Sequence, residues 1–408
     1  MEVLHSRAAG LDVHKDTVVA CVRLAHGTKV ERHLETFGTT TRELLRLLEW
    51  LLAYQVSCVA MEATGVYWKP VWHVLEGAFQ LVLANAHEVK NVPGRKTDIN
   101  DATWLADLVA HGLIRSSFVP PQSIQELRDL TRTRTQLVRE RSQHVQRIQK
   151  VLEDANVKLS NVVTDVLGVS GRMIITAIIR GENDPAQLAA LGHARLKATK
   201  KQLAEALEGR VRDHHRFLLR LHLGQIDALN SAIELLENRV DELLLPFADV
   251  VRRLKTIPGM GEAVAPVLIA EIGVDMSAFP TAGHLVSWTG LSPRQDESNG
   301  KRRSTKTKKG KWAKTAIVQV AWAAVREKEP TYLTAQFQRI RARRGAKKAI
   351  VAVAASIITA AYYIIKNGTE YQDLGGDYFH RRDQKTHAFR LVERLQKMGY
   401  VVHLESAA

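Results

Sequence analysis

The stretch that most constrains this chain is Gly10-Leu11-Asp12-Val13-His14-Lys15-Asp16-Thr17-Val18-Val19-Ala20-Cys21-Val22, an apolar, β-branched run carrying a carboxylate where a core residue belongs. His14 to Asp16 is polar and reads as a turn, so the run predicts two strands of a hairpin with Asp12 at a strand end. An ionised carboxylate is costly to bury alone and ends up paired, hydrogen-bonded or coordinated to a metal. Alone, Asp12 has a plainer use as a turn initiator. Partners decide between the two.

Two further places supply them. Val56-Ser57-Cys58-Val59-Ala60-Met61 is a second strand-like run, ended by Glu62 before the turn-forming Ala63-Thr64-Gly65. Lys96-Thr97-Asp98-Ile99-Asn100-Asp101-Ala102 leads into Trp104, Leu105, Leu108 and Val109, the spacing of an amphipathic helix with Asp98 and Asp101 in its first turn. Such a pair can simply cap a helix and complement its dipole. Four acids at strand ends and a helix start would repel one another, however, and divalent cations with oxygen ligands relieve that repulsion. Two magnesium ions are the expected occupants, and such a pair stabilises the attacking and leaving oxygens of a phosphodiester.

The charge balance agrees with a polyanionic partner. The 408 residues are 45% hydrophobic and 25% charged, which suits a globular chain of two or three domains, and carry a formal +15. Cys21 and Cys58 are the only cysteines and both fall in predicted strands, so neither a disulfide framework nor a cysteine zinc site is expected. Met1 to His5 lacks a signal-peptide start, and a reducing cytoplasmic setting is the expectation.

In chain order, residues 1–118 read as one α/β unit. Strands are expected near 7–13, 17–25 and 28–36, a helix from Thr41 to Tyr54, a strand at 56–61, a helix after Tyr67, the apolar run Gln80 to Ala84, and the helix near Asp98. This order predicts a mixed sheet with helices packed on it and the four acids at one edge. The segments Gly10 to Lys15, Met61 to Gly65 and Lys96 to Ala102 resemble the three acidic motifs of the insertion sequence 110 family of transposases. The resemblance implies an RNase H-like (RuvC-like) domain in which Asp12, Glu62, Asp98 and Asp101 bind magnesium.

Residues 119–250 read as helical. Leu127, Leu130, Val138, Val145, Ile148, Leu152 and Leu159 predict one long basic helix that includes Arg128 and Arg132. Leu219, His222, Ile226, Leu229, Ile233, Leu236, Val240 and Leu243 alternate threes and fours, a seam that favours a coiled coil within or between chains. Around Gly181 to Pro185 no element is predicted. A third segment, 251–375, opens on Ile257-Pro258-Gly259-Met260-Gly261 before a helix; this resembles a helix-hairpin-helix DNA-backbone element and equally fits an ordinary interhelical turn. Residues 376–408 read as a tail. Ala349 to Ile365 is uncharged, yet at about 1.5 Å per residue it falls short of a bilayer core of about 30 Å and is expected to be a buried helix, with no membrane partner.

Between Leu285 and Lys348 stand 17 Lys and Arg against four acids, a net +13 that accounts for most of the excess. Arg294, Lys301, Arg302, Arg303, Lys306, Lys308, Lys309 and Lys311 are candidate phosphate contacts, with Arg128 and Arg132 beside them. Ser298-Asn299-Gly300 alone reads as a turn. Trp288 to Arg294, Glu297 to Lys301 and Lys308-Lys309-Gly310 resemble the C-terminal domain of the same family, which implies that Ser298 attaches covalently to DNA. The family has serine and glycine adjacent, whereas Asn299 intervenes here, which leaves Ser304 as an alternate. The resemblance further implies double-stranded DNA and a guide RNA as partners and a homo-oligomer, dimer or tetramer. The resulting expectation is a serine-using recombinase. A junction endonuclease using water and a non-enzymatic nucleic-acid scaffold are the alternatives.

Overall fold

The computed structural model describes residues 2–27, 29–63, 65–85, 89, 100–293, 297, 298, 301, 302, 306, 307 and 312–403. The chain forms two compact units, Met1–Val119 and Pro120–Ala408.

In the first unit, β1 (Arg7–Val13), β2 (Thr17–His26) and β3 (Lys29–Gly38) form an antiparallel meander. The hairpin closes where His14 N–H donates to the Thr17 carbonyl. After α1 (Thr41–Ala53), β4 (Cys58–Glu62) returns parallel to β1; α2 (Trp68–Leu75) then leads to β5 (Gln80–Ala84), parallel to β4. The result is a five-stranded mixed sheet in the order β3-β2-β1-β4-β5. Leu44, Leu47 and Leu51 of α1 and Val71, Trp72 and Leu75 of α2 pack on one face, over Leu11, Val13, Val59 and Met61. The other face is covered by α3 (Asp101–Ala110), whose Trp104, Leu105 and Leu108 bury Ala8, Cys58, Ala60 and Val82. Strand alternation divides the two sets.

The second unit is helical until a short β-ribbon. Its spine is an antiparallel pair, α4 (Gln122–Asp154) and α9 (Asp213–Leu244). The direction is marked by Arg134 with Glu237, Arg141 with Asn230, His144 with His222, and Asp154 with His215. Leu219, Ile226, Ile233 and Val240 of α9 are buried, on the helix that pairs with α4 within the chain. The basic helix does not run on to Leu159. It stops at Asp154 because the backbone turns at Asn156 (φ 55°), and Leu159 begins the separate α5 (Leu159–Val162).

Next come α6 (Val169–Arg180), α7 (Pro185–Ala190) and α8 (Lys200–Leu207), which pack on one end of the pair. The stretch around Gly181 is a tight helix-to-helix link: Gly181 ends α6 in a left-handed conformation, and the Asp184 side chain caps α7, where Pro185 opens the first turn. The C-terminal part comprises α10 (Ala248–Leu254), α11 (Val264–Ile272), α12 (Ala282–Trp288), β6 (Glu297–Ser298), β7 (Lys301–Arg302), α13 (Trp312–Ala324), α14 (Tyr332–Arg344), α15 (Ala346–Asn367) and α16 (Tyr378–Lys397). By length and composition α15 is apolar enough to cross a membrane. Its apolar residues Ile350, Val353, Ile357 and Ile358 are instead buried where α10, α12, α13 and α14 pack around it.

The glycine turn after α10 is also structural. A Cβ on Gly259 would lie 2.5 Å from the Val320 carbonyl and 2.6 Å from the Ala324 nitrogen, so this glycine lets the turn seat against α13.

Candidate functional site

Leu11 of β1 pairs with Met61 of β4, so the next residues, Asp12 and Glu62, stand side by side at the carboxyl ends of neighbouring parallel strands. Both share the strand phase of Ala8, Gly10, Cys58 and Ala60, the residues beneath α3. Asp101 is the first residue of that helix, behind Asn100, whose side chain caps it by accepting from Ala102 N–H (2.9 Å). Gly10 draws the helix down onto the sheet: a Cβ there would sit 2.1 Å from the Ala102 carbonyl oxygen and 2.4 Å from the Ala106 nitrogen. The start of α3 therefore crosses β1 two residues before Asp12. Two of the four predicted acids, Asp12 and Glu62, are thus side by side, and a third, Asp101, begins the helix that packs over β1. Asp98 lies outside the described residues.

The Asp12 side chain is 24% exposed, and His14 Nε2 lies 3.1 Å from its Oδ2. A ring two residues along the chain can orient this carboxylate; only proximity in sequence could have flagged it. No sequence signal revealed what holds α3 in place. Asp107 accepts from Arg23 Nε (2.9 Å) and from Arg32 Nη2 (2.9 and 3.1 Å), so β2 and β3 grip the helix that carries Asp101. Among the described residues, no three His, Cys, Asp or Glu side chains already form a metal cage. The donors at the edge are all carboxylate oxygens, which suit a hard cation such as magnesium. The nearby thiols do not: burial pushes Cys58 up to about 11 and raises Cys21 as well, keeping both protonated.

The predicted serine lies in the second unit. Ser298 pairs with Lys301 and Glu297 with Arg302 in a two-stranded ribbon. An Asn-Gly pair between two such strands in the sequence is a strong hairpin signal. Thr307 bridges Pro293 and accepts from Lys314 Nζ (2.5 Å). Lys306 is exposed. Arg294, Arg303, Ser304, Lys308, Lys309 and Lys311 lie outside the described residues.

Arg128 and Arg132, expected to touch nucleic acid, are engaged inside the protein. Arg128 donates to the carbonyls of Ala270 (2.9 Å) and Glu271 (2.7 Å), and Arg132 grips the Glu271 carboxylate with two bonds (2.7 and 2.9 Å). Glu271 is 3% exposed, so this is a clamp between α4 and α11. Arg132 also faces the Trp312 ring. Their basic character, read as surface, serves an interior contact.

Two family models match the chain, one described as "Transposase", of the DEDD IS110 type, over residues 9–157, and one as "Transposase IS116/IS110/IS902 family" over residues 251–336. The chain belongs to the IS110 family of transposases. The first match contains the three acidic motifs and the second contains Ser298. The chain is also similar to an insertion element IS110 uncharacterized 43.6 kDa protein of Streptomyces coelicolor, at 26% identity over 69% of this chain and 73% of that one. It is 27% identical to a probable family 20 transposase of Pseudomonas aeruginosa, over 78% and 83% of the two. A pilin gene-inverting protein of Moraxella bovis is 22% identical over 89% and 96%. As an IS110-family transposase, the protein has DNA as its substrate and cleaves and rejoins it.

Proposed function

We propose that this transposase works through magnesium held by Asp12, Glu62, Asp98 and Asp101 in an RNase H-like domain, with Ser298 as the nucleophile and a structured RNA as guide. The observation that carries the reading is the in-register placement of Asp12 and Glu62 on adjacent parallel strands, on the face where α3 begins with Asp101. Bound magnesium, as two ions, would polarise the scissile phosphate and offset charge on the attacking and leaving oxygens. The chain itself supplies rigid ligands: two on strand ends, and one on a helix fixed by Asp107 and by its close approach to Gly10. Ser298 Oγ gives its proton to water and bonds to phosphorus as the P–O bond to one deoxyribose oxygen breaks, and that oxygen takes up a proton and leaves as a free DNA hydroxyl. One DNA end stays on the protein, and the bond energy is kept for rejoining. With sequence read by base pairing to RNA, the protein needs charge and shape recognition only, which fits a ribbon rich in Lys and Arg.

A homo-oligomer assembled through a coiled coil is supported by a second seam on α9. Phe217, Leu221, Gly224, Ala228, Ser231 and Leu235 alternate fours and threes and are all exposed, whereas the first seam is used against α4.

The test is a cleavage assay in magnesium on labelled DNA carrying the element's ends, with RNA that co-purifies with the protein sequenced and added back. Asp12→Asn and Asp101→Asn should abolish cleavage while retaining DNA binding. Ser298→Ala should abolish the protease-sensitive protein–DNA adduct, and Ser304→Ala should not. Cleavage without any adduct in the unaltered protein would replace this reading with a water-using junction endonuclease.

A further inference from the structure

Most of the cations between Leu285 and Lys348 fall in two separate parts of the chain. One is the ribbon and the residues that follow it. The other is the turn between α14 and α15, where Arg341, Arg343, Arg344, Lys347 and Lys348 lie within eight residues without a single acid among them. All five are exposed, and none makes an ion pair among the described residues. Arg339, one turn earlier, differs: its guanidinium lies over the Phe379 ring at 4.9 Å.

The turn is held firmly. Leu333 and Phe337 of α14 and Ala349, Ile350 and Val353 of α15 are buried, and Gln336 Nε2 donates to Ser356 Oγ (2.9 Å) across the helical hairpin. Five like charges fixed together repel one another, which favours a polyanion over a neutral partner. No aromatic residue occurs from 338 to 361. Single-stranded nucleic acid is bound largely by stacking bases on aromatic rings, whereas a duplex presents its phosphates outward. Eight residues span roughly 10 Å, a length over which duplex DNA carries about six charges.

We propose that the α14–α15 turn is a second contact for duplex DNA, binding phosphates without reading sequence, in addition to the ribbon around Lys301. This rests on the reading of the chain as a DNA-binding transposase.

The experiment measures binding of the full-length protein to a fluorescent 30-base-pair duplex of arbitrary sequence between 50 and 200 mM salt. Arg341→Gln, Arg344→Gln and Lys348→Gln are combined in one variant. If three phosphate contacts are lost, the slope of log affinity against log salt becomes shallower by about 2.7, so the gap from wild type closes by roughly 40-fold across that range. Arg341→Lys with Arg344→Lys should keep the wild-type slope, which separates charge from packing. Lys200→Gln with Lys201→Gln, exposed cations on α8, should also leave it unchanged. A triple variant with wild-type thermal stability, slope and affinity would overturn the proposal. So would loss of binding to single-stranded RNA with duplex binding intact. If the wild type itself binds duplex without salt dependence, the fault lies in the DNA-binding reading, and the proposal falls with it.

Discussion

Asp12 is one carboxylate in a sheet, yet its position makes the site sensitive to a residue that bears no functional group. Adding one methyl at Gly10 would place carbon 2.1 Å from the Ala102 carbonyl, and a backbone atom cannot swing away as a side-chain tip can. Gly10→Ala should therefore cost about 2–3 kcal/mol, as overpacked sites do, measurable by urea denaturation. It should also lift the start of α3, so that DNA cleavage falls at least ten-fold even under conditions where the variant is fully folded. Full cleavage by folded Gly10→Ala would show that Asp101 does not need α3 seated against β1. The strand-end positions of Asp12 and Glu62 were legible because one interrupts and the other ends an apolar run, an unusual place for a carboxylate. The roles of Gly10, of Asp107 with Arg23 and Arg32, and of Glu271 were not. Each depends on a contact between segments dozens of residues apart, which local spacing does not encode. Arg128 and Arg132 show the same limit: a cation on a helix is read as surface until the tertiary structure sets a buried carboxylate opposite it.

Among the elements, α4 carries two tests, one of its clamp to α11 and one of its seam with α9. Glu271→Gln removes the charge that Arg132 grips and leaves a guanidinium partly buried without its counterion. Breaking a buried pair from one side costs about 3–5 kcal/mol, and about 3 is expected here because Arg132 keeps some access to water. Calorimetry should show the loss. His222 gives a pH dependence. Burial first, then His144 and Arg147, hold its imidazole below the ordinary value. As pH falls the unfolded chain therefore takes up a proton before the folded one does, so this contribution to stability is complete above about pH 6.5 and is lost on acidification. Its Nδ1 lies 3.2 Å from His144 Nδ1, so charging both rings would set two cations against each other. His222→Leu, which restores an apolar seam residue, should make the thermal midpoint fall less between pH 7 and 5.5 than in wild type; an equal fall would remove the histidine pair as the cause. The seam of α9 was readable because heptad spacing is a local property. The end of α4 was not, since leucines at helical spacing continue past the turn at Asn156 and only the backbone shows the break.

For the whole molecule, the acids lie in one compact unit and Ser298 in the other. A hydroxyl attacks poorly without activation, so the proposed mechanism requires the two to meet on the DNA during reaction. They can meet within one chain or between two, and the exposed second seam of α9 favours an assembly in which copies lie against each other. Two inactive variants discriminate. Ser298→Ala keeps the acids, Asp101→Asn keeps the serine, and neither chain alone has both. If the site is shared between copies, mixing the two should restore covalent attachment to roughly a quarter of the wild-type level or more, since random pairing recreates a share of the sites. The adduct should appear only on the Asp101→Asn chain, which alone retains the nucleophile. Giving that chain a size tag lets a denaturing gel of labelled DNA report which protein is attached. No attachment in the mixture, with both variants binding DNA normally, would mean that each chain brings its own serine to its own acids. Attachment to the Ser298→Ala chain would exclude Ser298 as the attacking residue in either arrangement.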